Sequence, residues 1–256
     1  RRSRRWLQRP PRMSCEAVVM QGADKLTMNK QVIEALKHCR YRVLTDDKDL
    51  EQVYRLRYKC YRAERSIAEN ERGIMSDSFD EAANCVHVAV EMHGEIMAAV
   101  RLHLVSRLSL TSPTLEVFPE ILEEIKRGRT ALDSTRFVID PVARKQRVPL
   151  HFLALRIPCL AIIFYDIDLG LAPVRAEHAA FYRRYFGYEP AMEPRSYPGL
   201  TKPIQLLTAK VWEQRDAVLA RTPVFGPVEE FPNANIAFPA LSAVYLASKK
   251  GSSEAA

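Results

Sequence analysis

The stretch "LDSTRFVID", Leu132 to Asp140, has the apolar ends of a buried strand and a middle that holds an acid, two hydroxyls and an arginine. A core strand has little reason to carry Asp133 and Arg136, since buried charge is tolerated only when it is paired. In a regular strand, residues three apart point to opposite faces. A β-bulge would change that alternation.

Working outward, "PVARKQRVPLHFLALRIPCLAIIFYDIDLG" reads as an apolar helix interrupted by Pro158, and "APVRAEHA" as a strand. "HAAFYRRYFGYEP" follows as a helix closing at Gly187, and "IQLLTAKVW" as a last strand. On the other side, "YRVLT" (41–45) predicts a first strand. The next segment, "DDKDLEQVYRLRYKCYRAE", is a helix with Asp46 or Asp47 as its cap. On that helix Val53, Leu56 and Cys60 share one face, while Tyr54, Arg57 and Tyr61 share its neighbour. "CVHVAVEM" and "EIMAAVRLHLV" flank His93-Gly94 as a hairpin, and "TLEVFPEILEEIKRG" holds a short helix stopped by Gly128. Strand and helix signals alternate, as in an α/β chain, but several α/β folds share this order.

The 256 residues and 47% hydrophobic side chains are enough for a substantial core. The expected layout is a basic extension with an amphipathic helix over 1–39, a main domain over 40–215 and a Pro-rich, then Ser/Ala/Lys-rich tail over 216–256. No apolar run approaches the roughly 18 residues of a membrane-spanning helix. Five scattered cysteines have neither metal spacing nor the look of a disulfide framework, and "RRSRRWLQRPPRMS" lacks the long apolar core expected of a secretory signal. The expected setting is a reducing cytoplasm, with no bound metal. The net charge of +7 is concentrated in "RRSRRWLQRPPR", with six arginines and no acid. That arm motivates one alternative function, a basic nucleic-acid-binding module, for which no groove-reading element is present.

A more specific pattern runs through the middle of the chain. Arg57 with Tyr61, Asp77 and Asp80 in "DSFD", Arg101 in "AAVRL", and Asp133, Arg136 and Phe137 in "DSTRF" stand in one order. This series resembles the motifs of the acyl-homoserine-lactone synthases, within the GCN5-related acyltransferase superfamily. Within that group, the chain is most similar to the long-chain N-acyl amino acid synthases, including N-acyltyrosine synthases. The resemblance spans about Tyr41 to Trp212. It departs from the lactone synthases in having Asp133 where they usually carry Glu, Tyr61 where they carry Phe, and no counterpart to their nearby Trp.

The resemblance implies a mixed, mostly antiparallel sheet whose bulged fourth strand splays from the fifth to admit a pantetheine arm. It implies transfer of a long-chain acyl group from acyl carrier protein to an amino acid's α-amine, tyrosine being one acceptor. A lactone synthase using S-adenosylmethionine is the nearer alternative. The acyl-phosphopantetheine of the carrier is then the donor, and no permanently bound cofactor is expected. The superfamily's glycine-rich pyrophosphate turn is missing: "RKQRVPLHF" occupies its place, which disfavours coenzyme A. Arg144, Lys145 and Arg147 can instead meet an acidic carrier protein.

Amide formation from a thioester needs a neutral amine, a route for its proton and donors to the developing oxyanion. Asp133 is the expected proton acceptor, directly or through water, or else an ion-pair partner of Arg101 or Arg136. With a bulge, amides near Phe137 and Val138 are the expected oxyanion donors. Arg57, Tyr61, Asp77, Asp80 and Arg101 are the expected substrate-binding set, with an arginine gripping the acceptor's carboxylate. Tyr182 lies near where superfamily members place the acid that protonates the thiolate, one residue further from Gly187 than usual. His87, His103 and His178 read as packed histidines.

Overall fold

Why a chain this apolar keeps charge in its centre becomes clear from the two faces of its sheet. The computed structural model describes residues 22–143 and 148–241. Strands β1 (Cys39–Leu44), β2 (Cys85–Met92), β3 (Glu95–Val105), β4 (Ala131–Ile139), β5 (Leu169–Val174), β6 (Glu189–Arg195) and β7 (Ile204–Lys210) form one sheet. Their order is β1-β2-β3-β4-β5-β7-β6, and β4 with β5 is the parallel pair in an otherwise antiparallel sheet. This is the expected mixed architecture, with one strand more than the sequence reading has. The extra strand is β6, whose "EPAMEPR" is largely exposed and carries two prolines, which an edge strand tolerates.

On one face lie α1 (Gly22–Leu36) and α5 (Leu150–Tyr165), with α6 (Ala179–Phe186) and α7 (Val211–Arg221) beside them. Their apolar side chains meet Val86, Val88, Val100, Leu102 and Leu132 in the largest core cluster. On the other face α2 (Asp47–Ala63) covers Ala89, Ala99 and Val138, while α3 (Pro113–Val117) and α4 (Leu122–Lys126) cover Val105, Ala131 and Leu171. Two separate apolar clusters on this face leave a polar band between them. Asp46 caps α2 as expected, accepting from Lys48 N at 2.9 Å. His93 and Gly94 both have positive φ, as a two-residue hairpin requires. Pro119 splits the expected single helix before Gly128 into α3 and α4.

The quoted strand, β4, breaks its own alternation. Its register with β3 runs Ala99↔Val138 and then Arg101↔Thr135, so one extra residue of β4 is accommodated there. Arg136 occupies the bulge at φ +53°, a left-handed conformation costly for a side chain with a Cβ. Pairing of β4 with β5 stops after three rungs, Ala131↔Leu169 to Asp133↔Leu171. Among the described residues, β4 has no strand partner on that side from Ser134 onward. At the paired end, Asp168 accepts from Thr130 N at 2.7 Å and Thr130 Oγ1 at 2.9 Å, and Leu169 N donates to Thr130 O at 2.9 Å. The two strands are clasped at one end and part at the other.

The Pro-rich segment after α7 closes the α5 face. Arg156 of α5 is fully buried, and it donates to Val224 O, to Ala234 O at 2.8 Å and to Gly226 O at 2.9 Å. Val224, Phe225, Ala234 and Phe238 join the main cluster.

Candidate active site

Local turn chemistry sets the two aspartates. Asp77 caps the short 3₁₀ turn Ser78–Glu81, accepting from Phe79 N at 3.1 Å, and Asp80 reaches back to accept from Asp77 N at 2.8 Å. This capping box explains the D-x-x-D spacing and aims both carboxylates at the sheet. Arg57 of α2 donates to Asp80 Oδ1 at 2.7 Å. Arg101 of β3 donates to Asp80 at 2.9 Å, to Asp77 Oδ1 at 2.5 Å and to Thr135 Oγ1 at 3.1 Å. Arg136 donates to Asp77 Oδ2 at 2.6 Å. The bulge therefore places Arg136 on the face that Arg101 occupies.

Burial would raise the pKa of both acids, but the adjacent arginines outweigh it and hold them below the usual carboxylate range. His87 completes the band. Arg57 Nη2 lies 3.1 Å from its Nδ1, and its Nε2 lies 3.0 Å from Asp80 O, which makes it a neutral imidazole donating from Nε2. Burial, and then the charge of Arg57, push its pKa down to about 4.

The balance of three acids and three bases does not close as one network. Asp133 forms an ion pair with neither Arg101 nor Arg136. Fully buried, it accepts from Ser112 Oγ at 2.7 Å, Thr114 Oγ1 at 2.7 Å and Thr114 N at 3.4 Å, at the start of α3. The arginine network thus holds three guanidinium groups against two carboxylates. Arg57 and Arg101 are 0% exposed and Arg136 is 9% exposed, and Arg101 Nη2 has no hydrogen-bond partner among the described residues. Such a site has positive charge to offer an anion.

Where β4 and β5 part, the two faces communicate. On the α2 side the Arg136 guanidinium lies over the Tyr61 ring, 5.8 Å from its centroid. On the α5 side Ser134 and Phe137 line an open apolar cleft. Leu155 and Ile162 of α5, Tyr182 of α6 and Val218 of α7 form its other walls. Burial raises the pKa of the Tyr182 phenol, which stays protonated and able to donate.

The profile of the N-acyl amino acid synthase FeeM family matches residues 52–210, more than half of the chain. This chain belongs to that family. It is an N-acyltransferase with a GCN5-related fold. The structure of FeeM, an N-acyl amino acid synthase from uncultured soil microbes, is similar with a TM-score of 0.59 at 14% identity, covering 72% of this chain and 96% of that one. BjaI, a CoA-dependent acyl-homoserine lactone synthase, gives 0.59 at 15% identity, covering 81% and 99%. TofI gives 0.53 at 17%, covering 73% and 99%. No curated protein sequence matches the chain.

In this N-acyltransferase the residues singled out by sequence fall into three groups. Arg57, Asp77, Asp80, Arg101 and Arg136 meet in one network, with Tyr61 stacked on its edge. Asp133, Phe137 and Val138 lie on the same strand, Phe137 on the cleft side and Val138 in the α2 cluster. Arg144, Lys145 and Arg147 lie outside the described residues. Sequence reasoning missed Ser112 and Thr114, although Ser112-Pro113 is a helix-start signature that marks both. It also missed Tyr197, a buried tyrosine whose phenol is influenced by Asp133 and Arg136. No sequence signal pointed to that residue, because it reaches the band from the loop after the unpredicted β6.

Proposed function

We propose that this N-acyltransferase moves a long-chain fatty acyl group from acyl carrier protein to the α-amine of an amino acid, giving an N-acyl amino acid. The observation that carries this reading is the parting of β4 and β5, with an apolar cleft on one side and an arginine-rich band on the other. An acyl chain fits the first and an amino acid's carboxylate the second. The thioester carbon then lies in the gap between them.

In this reading Arg136, the most accessible of the three arginines, grips the acceptor's carboxylate beside Tyr61. The amine nitrogen attacks the thioester carbon, a C–N bond forms and the C–S bond breaks. The amine's proton passes through the Thr114 or Ser112 hydroxyl to Asp133, since both carboxylate oxygens face those groups. Amides near Phe137 and Val138 on the bulged strand receive the oxyanion, and Tyr182 supplies a proton to the departing thiolate. Arg144, Lys145 and Arg147 serve as the carrier's docking patch. Reversing their charge should raise KM for the carrier and leave the amino acid dependence nearly unchanged.

The test is to offer purified protein a palmitoyl carrier protein with each amino acid in turn, tyrosine first, and to read products by mass spectrometry. An acyl amino acid is the expected product. A lactone formed only with S-adenosylmethionine, or no product from any acceptor, overturns the reading.

A further inference from the structure

The acyl cleft is apolar along most of its wall, yet five polar side chains line it, one of them Arg215, which is exposed and pairs with Asp216. Ser134 Oγ and Gln214 Oε1 are buried with no hydrogen-bond partner among the described residues. Tyr182 and Tyr188 also line the cleft, and burial keeps both phenols protonated. A buried polar atom without a partner is destabilising, so polar atoms kept in a hydrocarbon-lined space need a reason.

Two glycines give these groups their seats. A Cβ on Gly170 would lie 2.3 Å from the Tyr188 hydroxyl, and a Cβ on Gly187 would lie 2.5 Å from Gln214 Oε1. Gly187 also has φ +68° as the cap of α6, so that glycine serves two requirements. Gly170 stands on β5 opposite Leu132 of β4, beside the last paired rung. Ser134 is the first β4 residue past that rung. One hydroxyl is therefore at the thioester end of the cleft, with further polar groups along its wall.

We propose that the acyl chain taken by this cleft carries a hydroxyl group, and that Ser134, Tyr188 and Gln214 select it. This rests on the reading that the cleft holds the acyl chain. A serine hydroxyl and a carboxamide each donate or accept, so a chain hydroxyl satisfies them in either sense. An unsubstituted chain leaves them unpaired and is disfavoured for that reason. A site built to hydrogen-bond a hydroxyl discriminates far more strongly than one that only fits a methylene.

The experiment compares binding of 3-hydroxyhexadecanoate and hexadecanoate to the full chain by calorimetry, in wild type, Ser134→Ala, Tyr188→Phe and Gln214→Leu. Wild type should bind the hydroxylated acid roughly tenfold or more tightly, and at least one substitution should bring the two together. Thermal melting of the same proteins supplies a second readout. Removing an unpartnered polar atom for an apolar one of similar shape should leave the melting temperature unchanged or raise it, even as selectivity is lost. Equal affinity of wild type for both acids overturns the proposal. So does a preference that survives all three substitutions, which would place the chain hydroxyl elsewhere or assign Ser134 to the pantetheine arm. Transfer from the two acyl carrier proteins separates the layers. Selective binding without any acyl transfer would uphold the hydroxyl selection and sink the acyltransfer reaction proposed above.

Discussion

Arg136 joins a left-handed backbone, a carboxylate and an aromatic ring at one residue, and each follows from the bulge in β4. Arg136→Lys keeps the charge but loses the planar fork. It should raise KM for the amino acid roughly tenfold to a hundredfold with little change in KM for the acyl donor, by steady-state kinetics with each substrate varied. Asp133→Asn keeps hydrogen bonds available to Ser112 and Thr114 and removes the carboxylate that the proposed mechanism uses as base. Turnover should fall by roughly 10²–10⁴ and recover in part at higher pH, where more amine arrives neutral. A lower melting temperature with no new pH dependence in the rate would instead mark Asp133 as an anchor for α3. His87 makes a separate prediction. An unfolded histidine titrates near 6.5, whereas this one is held down to about 4 by burial and by Arg57. Its contribution to stability is full above the unfolded value and is lost as pH falls from about 6.5 towards 4, because the unfolded chain then binds a proton that the folded chain refuses. Melting temperature against pH should therefore fall more steeply through that window in wild type than in His87→Gln.

Among the elements, Gly170 of β5 tests how tightly the cleft wall meets the sheet. Gly170→Ala should destabilise by roughly 1–3 kcal/mol, the usual range for overpacking, and Tyr188→Phe in the same chain should recover part of that by removing the closest atom. Denaturant unfolding of the single and double variants checks both. The elements also show what the sequence could and could not convey. The capped helix α2, the His93-Gly94 hairpin and the Gly187 stop were legible because each rests on chemistry within a few residues. The polar middle of β4 announced a bulge, since Asp133 and Arg136 make little sense in an unbroken buried strand. Strand β6 was not legible: its two prolines and exposed side chains lack the period of a strand, and only pairing with β7 defines it. "DSFD" showed the two acids but not their turn, and the partners of Asp133 lie 19 and 21 residues away in a loop whose path depends on tertiary packing.

In the whole molecule, Arg156 ties the far end of the chain to its centre. The carbonyls of Val224, Gly226 and Ala234 surround a guanidinium that is otherwise buried among apolar side chains. A chain ending at Thr222 would leave that charge without acceptors and remove Phe225 and Phe238 from the core. It should lose several kcal/mol of stability, in the range reported for stranding a buried charge, and Arg156→Met should restore part of it in the shortened chain alone. Circular dichroism melts of the four combinations read this directly. The Thr130–Asp168 clasp has a different reach. With β4 and β5 joined over three rungs and parting beyond, the pair has the shape of tongs, with a pivot at Thr130 and jaws where the proposed mechanism puts the thioester. Loosening a pivot changes how far and how fast jaws travel without touching what they hold. Asp168→Ala should leave the acceptor's KM nearly unaltered and shift the rate of product departure, visible as a changed ratio between the first turnover and the steady state.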